Sequence, residues 1–168
     1  VAEAFPRCAS TDPLRMPFFG DAHIHTKLSL DANLQGNRME LDDAYAFAKG
    51  EEVGIQPYDA DDQPMRTLRL ERPLDWVALT DHAEFLGTVS VCQDPGSDAY
   101  DHDECVMYRD RPENAFFGLN ALNGEVQSNV HYPALCGEND QICLDRGMEI
   151  WADVADAAEA HYDRTDSC

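Results

Sequence analysis

Lysine is nearly missing from this sequence. Lys27 and Lys49 are the only two, and with the arginines they make 12 basic residues against 33 acidic ones, a net charge of −21. A surface so poor in cations has little to exchange for the counterions of a polyanion, so nucleic acid and anionic membranes are not expected as partners. No apolar run approaches the roughly 20 residues that a membrane-spanning helix requires, so no membrane span is expected. No charged-then-apolar leader opens the chain, and any secretory signal is expected to have been removed already. Internal repeats, low-complexity tracts and linkers are also lacking, and residues 1–168 read as a single region.

Cysteine, by contrast, is abundant, with six in the chain. None has the C-x-x-C spacing of a zinc ribbon or a redox motif. Cys92 and Cys105 flank one polar stretch, Cys136 and Cys143 flank another, and Cys8 and Cys168 sit near the two ends. An even number bordering such stretches reads as a disulfide framework rather than as buried reduced thiols, and implies an oxidising compartment, periplasmic or secreted. Six cysteines permit many connectivities; local pairing, Cys92 with Cys105 and Cys136 with Cys143, is the expectation.

Along the chain, residues 17–25 suggest a short, mostly buried strand ending in polar residues, and Ser29 to Arg38 is rich in turn formers. Residues 41–49 predict a helix, with Asp42 and Asp43 at its positive end, Lys49 in its last turn and Gly50 as the stop. Arg66 to Glu71 alternates as a half-exposed strand does, and Leu74 to Thr80 is an apolar, β-prone strand running into Asp81-His82. Residues 88–147 resist a clear reading and are expected to form a loop-rich excursion carrying the disulfides. Helical spacing returns from Trp151 to Tyr162. Strands alternating with helices predict an α/β fold with parallel strands, in which ligands and metals gather at the C-terminal ends of the strands. His23, His25, Asp81 and His82 all fall at such ends.

His23 and His25 form an H-x-H pair on a strand, where the period of two points both imidazoles to one face. Two imidazoles so placed can grip a transition metal, and added carboxylate suits Zn, Mn or Fe. Asp31 and a second strand ending in Thr80-Asp81-His82 supply the rest of the candidate cluster. Asp81 is read either as a ligand or as a partner that orients an imidazole through its ring N–H.

Phe18-Phe19-Gly20-Asp21-Ala22-His23-Ile24-His25-Thr26, with Ser29, Asp31 and Ala32, followed by Leu79-Thr80-Asp81-His82-Ala83-Glu84, resembles the first two motifs of the PHP (polymerase and histidinol phosphatase) superfamily. The resemblance is strongest to the branch known as domain of unknown function 3604. Asn37-Arg38, Asp42 to Glu52, Arg72 to Asp75, the cysteine-bearing stretch and the last helix are also similar to it. The resemblance implies the N-terminal part of a distorted (β/α) barrel whose edge binds up to three divalent metal ions and hydrolyses phosphoesters. It assigns His23 and His25 to one metal, Asp31 and His82 to a second, and Asp81 to a supporting position in the catalytic centre. Arg38 and Lys49 are candidates for binding a small-molecule phosphoester.

That superfamily uses further ligands downstream, and none is recognisable here. Glu125 has no apolar strand before it and is not assigned, and His102, His131 and His161 are expected to be structural or exposed. The missing ligands are expected from the remainder of a longer polypeptide or from further copies of this chain. Two other readings stand beside the phosphoesterase. One is an amidohydrolase-type metal hydrolase, disfavoured by the spacing of Asp31 and the early Asp81-His82. The other is a secreted structural or assembly subunit that retains the fold and is stapled by its disulfides.

Overall fold

A computed structural model describes residues 17–115, 117–118 and 133–163. Cys8, Cys168, Glu125 and His131 lie outside the described residues.

The chain enters strand β1 (Gly20–Ile24), turns through a short helix α1 (Leu30–Leu34) and continues into α2 (Leu41–Ala48). Helix α2 starts on a capping box in which the Asp43 carboxylate accepts the Glu40 N–H at 3.0 Å. It stops where Gly50 takes a φ of +86°, a conformation in which a side chain is strained. An antiparallel hairpin, β2 (Val53–Tyr58) and β3 (Pro64–Leu68), stands on the surface, its turn braced by the Asp59 carboxylate accepting the N–H groups of Asp61 and Gln63. Strand β4 (Trp76–Leu79) then returns beside β1 and runs parallel to it, pairing Gly20 with Trp76 and Ile24 with Leu79. A crossover containing a helix between parallel neighbours is the α/β connection that the alternating pattern predicted.

The described strands form two two-stranded sheets and no closed barrel. Strand β1 was expected to be mostly buried, yet Asp21, Ala22 and His23 are exposed, as are Phe18 and Phe19 beside them and Trp76 on β4. Among the described residues each parallel strand has one neighbour, so the sheet is only partly covered, where a parallel sheet is usually buried on both faces.

The hydrophobic core sits instead where an irregular excursion was expected. Helices α3 (Leu86–Gln93), α4 (Asp103–Asp110), α5 (Pro133–Cys136) and α6 (Gln141–His161) fill that region, with a 3₁₀ turn at Glu138–Asp140. Phe85, Val89, Val91, Tyr108 and Leu135 pack there with Leu30 of α1. Two disulfides lie inside this cluster: Cys92 of α3 with Cys105 of α4, and Cys136 of α5 with Cys143 of α6. The pairing matches the local connectivity expected for these four cysteines, and each bridge joins two helices across the connection between them. Helix α6 begins ten residues before the expected Trp151, because Gly147 is accommodated inside it rather than breaking it. No helix among the described residues is long and apolar enough to cross a membrane.

Candidate metal centre

The two parallel strands carry the site. Ile24 is the last residue of β1 and Leu79 the last of β4, and Thr80 ties the two ends together by donating its N–H to the Ile24 carbonyl at 2.8 Å. His25 and His82 therefore leave the same edge of the sheet. Their ring centroids are 4.9 Å apart in an edge-to-face arrangement, and the His23 ring lies 4.8 Å from His25.

After His25 the chain must turn sharply to start α1, and the polar residues of that turn are all committed. The Asn37 amide donates to the His25 carbonyl at 3.2 Å, and the Asn33 amide donates to the Lys27 carbonyl at 2.9 Å. Ser29, fully buried, precedes α1 and places Asp31 in its first turn. The Ser29 hydroxyl donates to Asp31 Oδ1 at 2.6 Å and accepts the His82 N–H at 3.0 Å. One side chain thus joins the two halves of the cluster across 53 residues of sequence.

Asp31 is the centre of the group. His25 Nδ1 lies 3.0 and 2.9 Å from its two oxygens, and His82 Nε2 lies 3.9 Å from Oδ2. Partial burial works against ionisation of Asp31, but hydrogen bonds from the Ser29 hydroxyl, the Ala32 N–H and His25 outweigh it and hold the carboxyl below its ordinary value. An ionised carboxylate can only accept, so in the contact with Asp31 the His25 Nδ1 is the donor. Glu84 lies beside His82, its Oε2 3.3 Å from Nδ1, both side chains about half exposed. For His25 and Asp31 to hold one ion together, the metal would take the place of the proton between them.

His25, Asp31 and His82 offer one donor atom each within 4.8 Å of one another, and they are the only such three-residue group among the described residues. This grouping differs from the expected division into a His23–His25 metal and an Asp31–His82 metal. His23 is exposed and stands beside the triad rather than in it.

The other candidates fall elsewhere. The Asp81 carboxylate touches no imidazole; it accepts the Thr26 N–H at 2.5 Å and the Thr26 hydroxyl at 2.9 Å, so it braces the chain leaving β1. Lys49 is removed from the cluster. Helix α2 ends at the beginning of β4, where the Leu74 N–H meets the Ala48 carbonyl, so Lys49 lies at the opposite edge of the sheet from His82. There its ammonium donates to His161 Nδ1 at 3.0 Å, while His161 Nε2 reaches Asp42 at 3.0 Å and the ring stacks on Tyr45. His161 is thereby part of the joint between α6 and α2. Arg38 is exposed, 5.9 Å above the Tyr58 ring. His102 pairs with Glu104 at the start of α4. Ser29 and Glu84 were given no role from sequence; lying within the two motifs was their only signal.

These features define a disulfide-stapled α/β chain with a histidine–carboxylate cluster at the carboxyl edge of paired parallel strands. A family model described as "Protein of unknown function (DUF3604)" matches residues 12–167, and the chain belongs to that family. No curated protein and no solved structure matches it.

Proposed function

We propose that this chain is the metal-binding part of a metal-dependent hydrolase of PHP type, acting on phosphoesters, and that His25, Asp31 and His82 hold the ion. The observation that carries this reading is the convergence of His25, Asp31 and His82 from two separate strand ends onto one point. The donor set suits Zn, Mn or Fe. The fit is close: His82 Nε2 and Asp31 Oδ2 are 3.9 Å apart, against about 3.4 Å between two ligands of a tetrahedral ion with bonds of about 2.1 Å.

A bound divalent ion supplies a water of lowered pKa and polarises phosphoryl oxygens. The chain's own residues prepare for it. Ser29 holds Asp31 and the backbone of His82 together, and Glu84 adds negative charge beside His82. Asp81, through Thr26, fixes the direction in which the chain leaves β1. His23 lies close enough to serve a second ion of the up-to-three-metal centre once further donors complete it. Those donors come from the remainder of a longer polypeptide or from another copy. The disulfides favour an oxidising compartment, periplasmic or extracellular, as the place of work.

Elemental analysis of the purified protein tests this reading, together with turnover of a panel of phosphoesters, amides and lactones. Wild type should carry a transition metal and His25→Ala or His82→Ala should lose it, with any phosphoesterase activity. Metal content unchanged by both substitutions would sink the assignment. Metal-dependent turnover confined to amides or lactones would favour the amidohydrolase reading, and a metal-free protein forming ordered polymers would favour the structural subunit.

A further inference from the structure

Cations are scarce in this chain, yet three of the 12 basic residues line one cavity of about 650 Å³ that is separate from the histidine cluster. Lys27, Arg38 and Arg109 reach it from different elements, against two carboxylates, Glu40 and Asp62. Glu40 is already paired with Lys27. In a molecule of net charge −21, a concave surface with a local excess of positive charge is an exception to its surroundings.

The two arginines are available in different ways. Arg109 is fixed: its guanidinium stacks 3.7 Å over the Tyr100 ring and one N–H donates to the Cys92 carbonyl at 2.6 Å. Five donors belong to a guanidinium, so most of the fork remains free in a set orientation. The Cys92–Cys105 disulfide joins α3 to α4 one turn before Arg109, so the covalent staple also holds this wall. Arg38 lines the same cavity, its guanidinium 5.9 Å from the centroid of the Tyr58 ring, with no carboxylate partner among the described residues. Tyr108 also lines the cavity; its buried hydroxyl donates to Asn33 Oδ1 at 2.9 Å and is therefore satisfied rather than a competing ligand. Burial pushes the Tyr108 hydroxyl above its ordinary range, and the Arg38 charge pulls it partly back.

We infer that this cavity is an oxyanion site that takes a phosphate group of a small molecule between Arg38 and Arg109. Two guanidiniums facing one space suit the bidentate geometry of phosphate, and a fixed fork loses little freedom on binding. The site does not depend on the metal centre: it shares the 25–40 segment with it, but none of His25, Asp31 and His82 lines the cavity.

Titration of metal-stripped, disulfide-intact protein with inorganic phosphate in EDTA at low ionic strength, followed by calorimetry, tests the inference. Saturable binding of one phosphate per chain is expected, weakened about tenfold or more by Arg38→Gln, since a hydrogen bond to a charged group is worth roughly that much. Arg38 is exposed, so that variant should fold; Arg109→Lys should also bind weakly, having lost the fork. Arg72→Gln, on an exposed arginine paired with Asp75, should bind as wild type, as should His25→Ala. No saturable binding in EDTA, equal affinity in Arg38→Gln, or loss of binding in His25→Ala would each overturn the inference. The last result would put the phosphate on the histidine cluster instead. Failure here leaves the metal content of the wild type, and so the proposed hydrolase, untouched.

Discussion

The carboxylate of Asp81 accepts both the backbone N–H and the hydroxyl of Thr26, a residue with no exposed surface, across 55 positions of sequence. Two donors at the end of one strand are satisfied by an acceptor at the end of the other. Removing the acceptor leaves the Thr26 N–H unpaired away from water, which costs about 1–3 kcal/mol. Asp81→Ala should therefore lower stability to urea by that amount and reduce metal affinity, since His25 is the next residue back. Asp81→Asn should lose much less: its carbonyl can keep the N–H bond, and the Thr26 hydroxyl can turn to accept from the amide. Equal losses in the two variants would mean that charge at position 81, and not its accepting geometry, matters.

Asp31 offers a test by pH. Its folded-state pKa is held below the ordinary 3.8, so it stabilises the fold above that value and loses the contribution as pH falls through the lower, folded pKa. Ser29 makes the largest favourable contribution to that shift. Ser29→Ala should be less stable than wild type near neutral pH, and the gap should narrow in acid once the carboxyl is protonated in both proteins. Urea unfolding of metal-free protein at the two pH values decides it. A gap that stays constant would assign the effect of Ser29 to its bond with the His82 N–H alone.

The parts of this site that were legible in the sequence are those with a period. An apolar run ending in H-x-H and another ending in Asp-His mark the ends of β1 and β4 because alternation and strand ends leave a pattern. The β2 strand went unread because Val53–Tyr58, containing Gly54 and Pro57, has no apolar alternation to mark it. Helix α1 was missed because five residues between turn formers carry no helical period. The region after residue 88 looked irregular because Asp94-Pro95-Gly96 interrupts it; its helices are held by packing and two disulfides, neither of which is periodic. Lys49 shows a different limit. It is close to His25 in sequence, but α2 carries it along the sheet to the far edge, and distance along a chain says nothing about that.

The disulfides make a quantitative test possible. They close stretches separated by 13 and 7 residues, and on the loop-entropy account a link of such size stabilises by roughly 2–3 kcal/mol. Replacing Cys92 and Cys105 together by serine should cost about that much, visible as a lower midpoint in urea. It should also weaken phosphate binding, because Arg109 would lose its fixed wall, while leaving metal content unchanged. Loss of metal with the bridge intact at Cys136–Cys143 would show that the helical core and the strand edge are one cooperative unit.

Two glycines at the crossing of α3 and α6 should behave oppositely. A methyl group on Gly87 would sit 1.8 Å from the Cys143 carbonyl oxygen and 2.7 Å from its carbon, both backbone atoms that cannot move aside. On Gly147, one turn further along α6, the same methyl meets nothing closer than 3.7 Å, ordinary contact. Gly87→Ala must push the two helices apart, at a cost of about 3 kcal/mol, the upper end of what overpacking normally costs. Gly147→Ala gains helix propensity of up to about 1 kcal/mol and should be neutral or stabilising. Because α3 begins just after His82 and Glu84, the Gly87 variant should also bind metal more weakly even where it remains folded. Thermal unfolding with metal analysis on both variants checks the pair, and a destabilised Gly147→Ala beside a tolerated Gly87→Ala would refute this packing of α3 on α6.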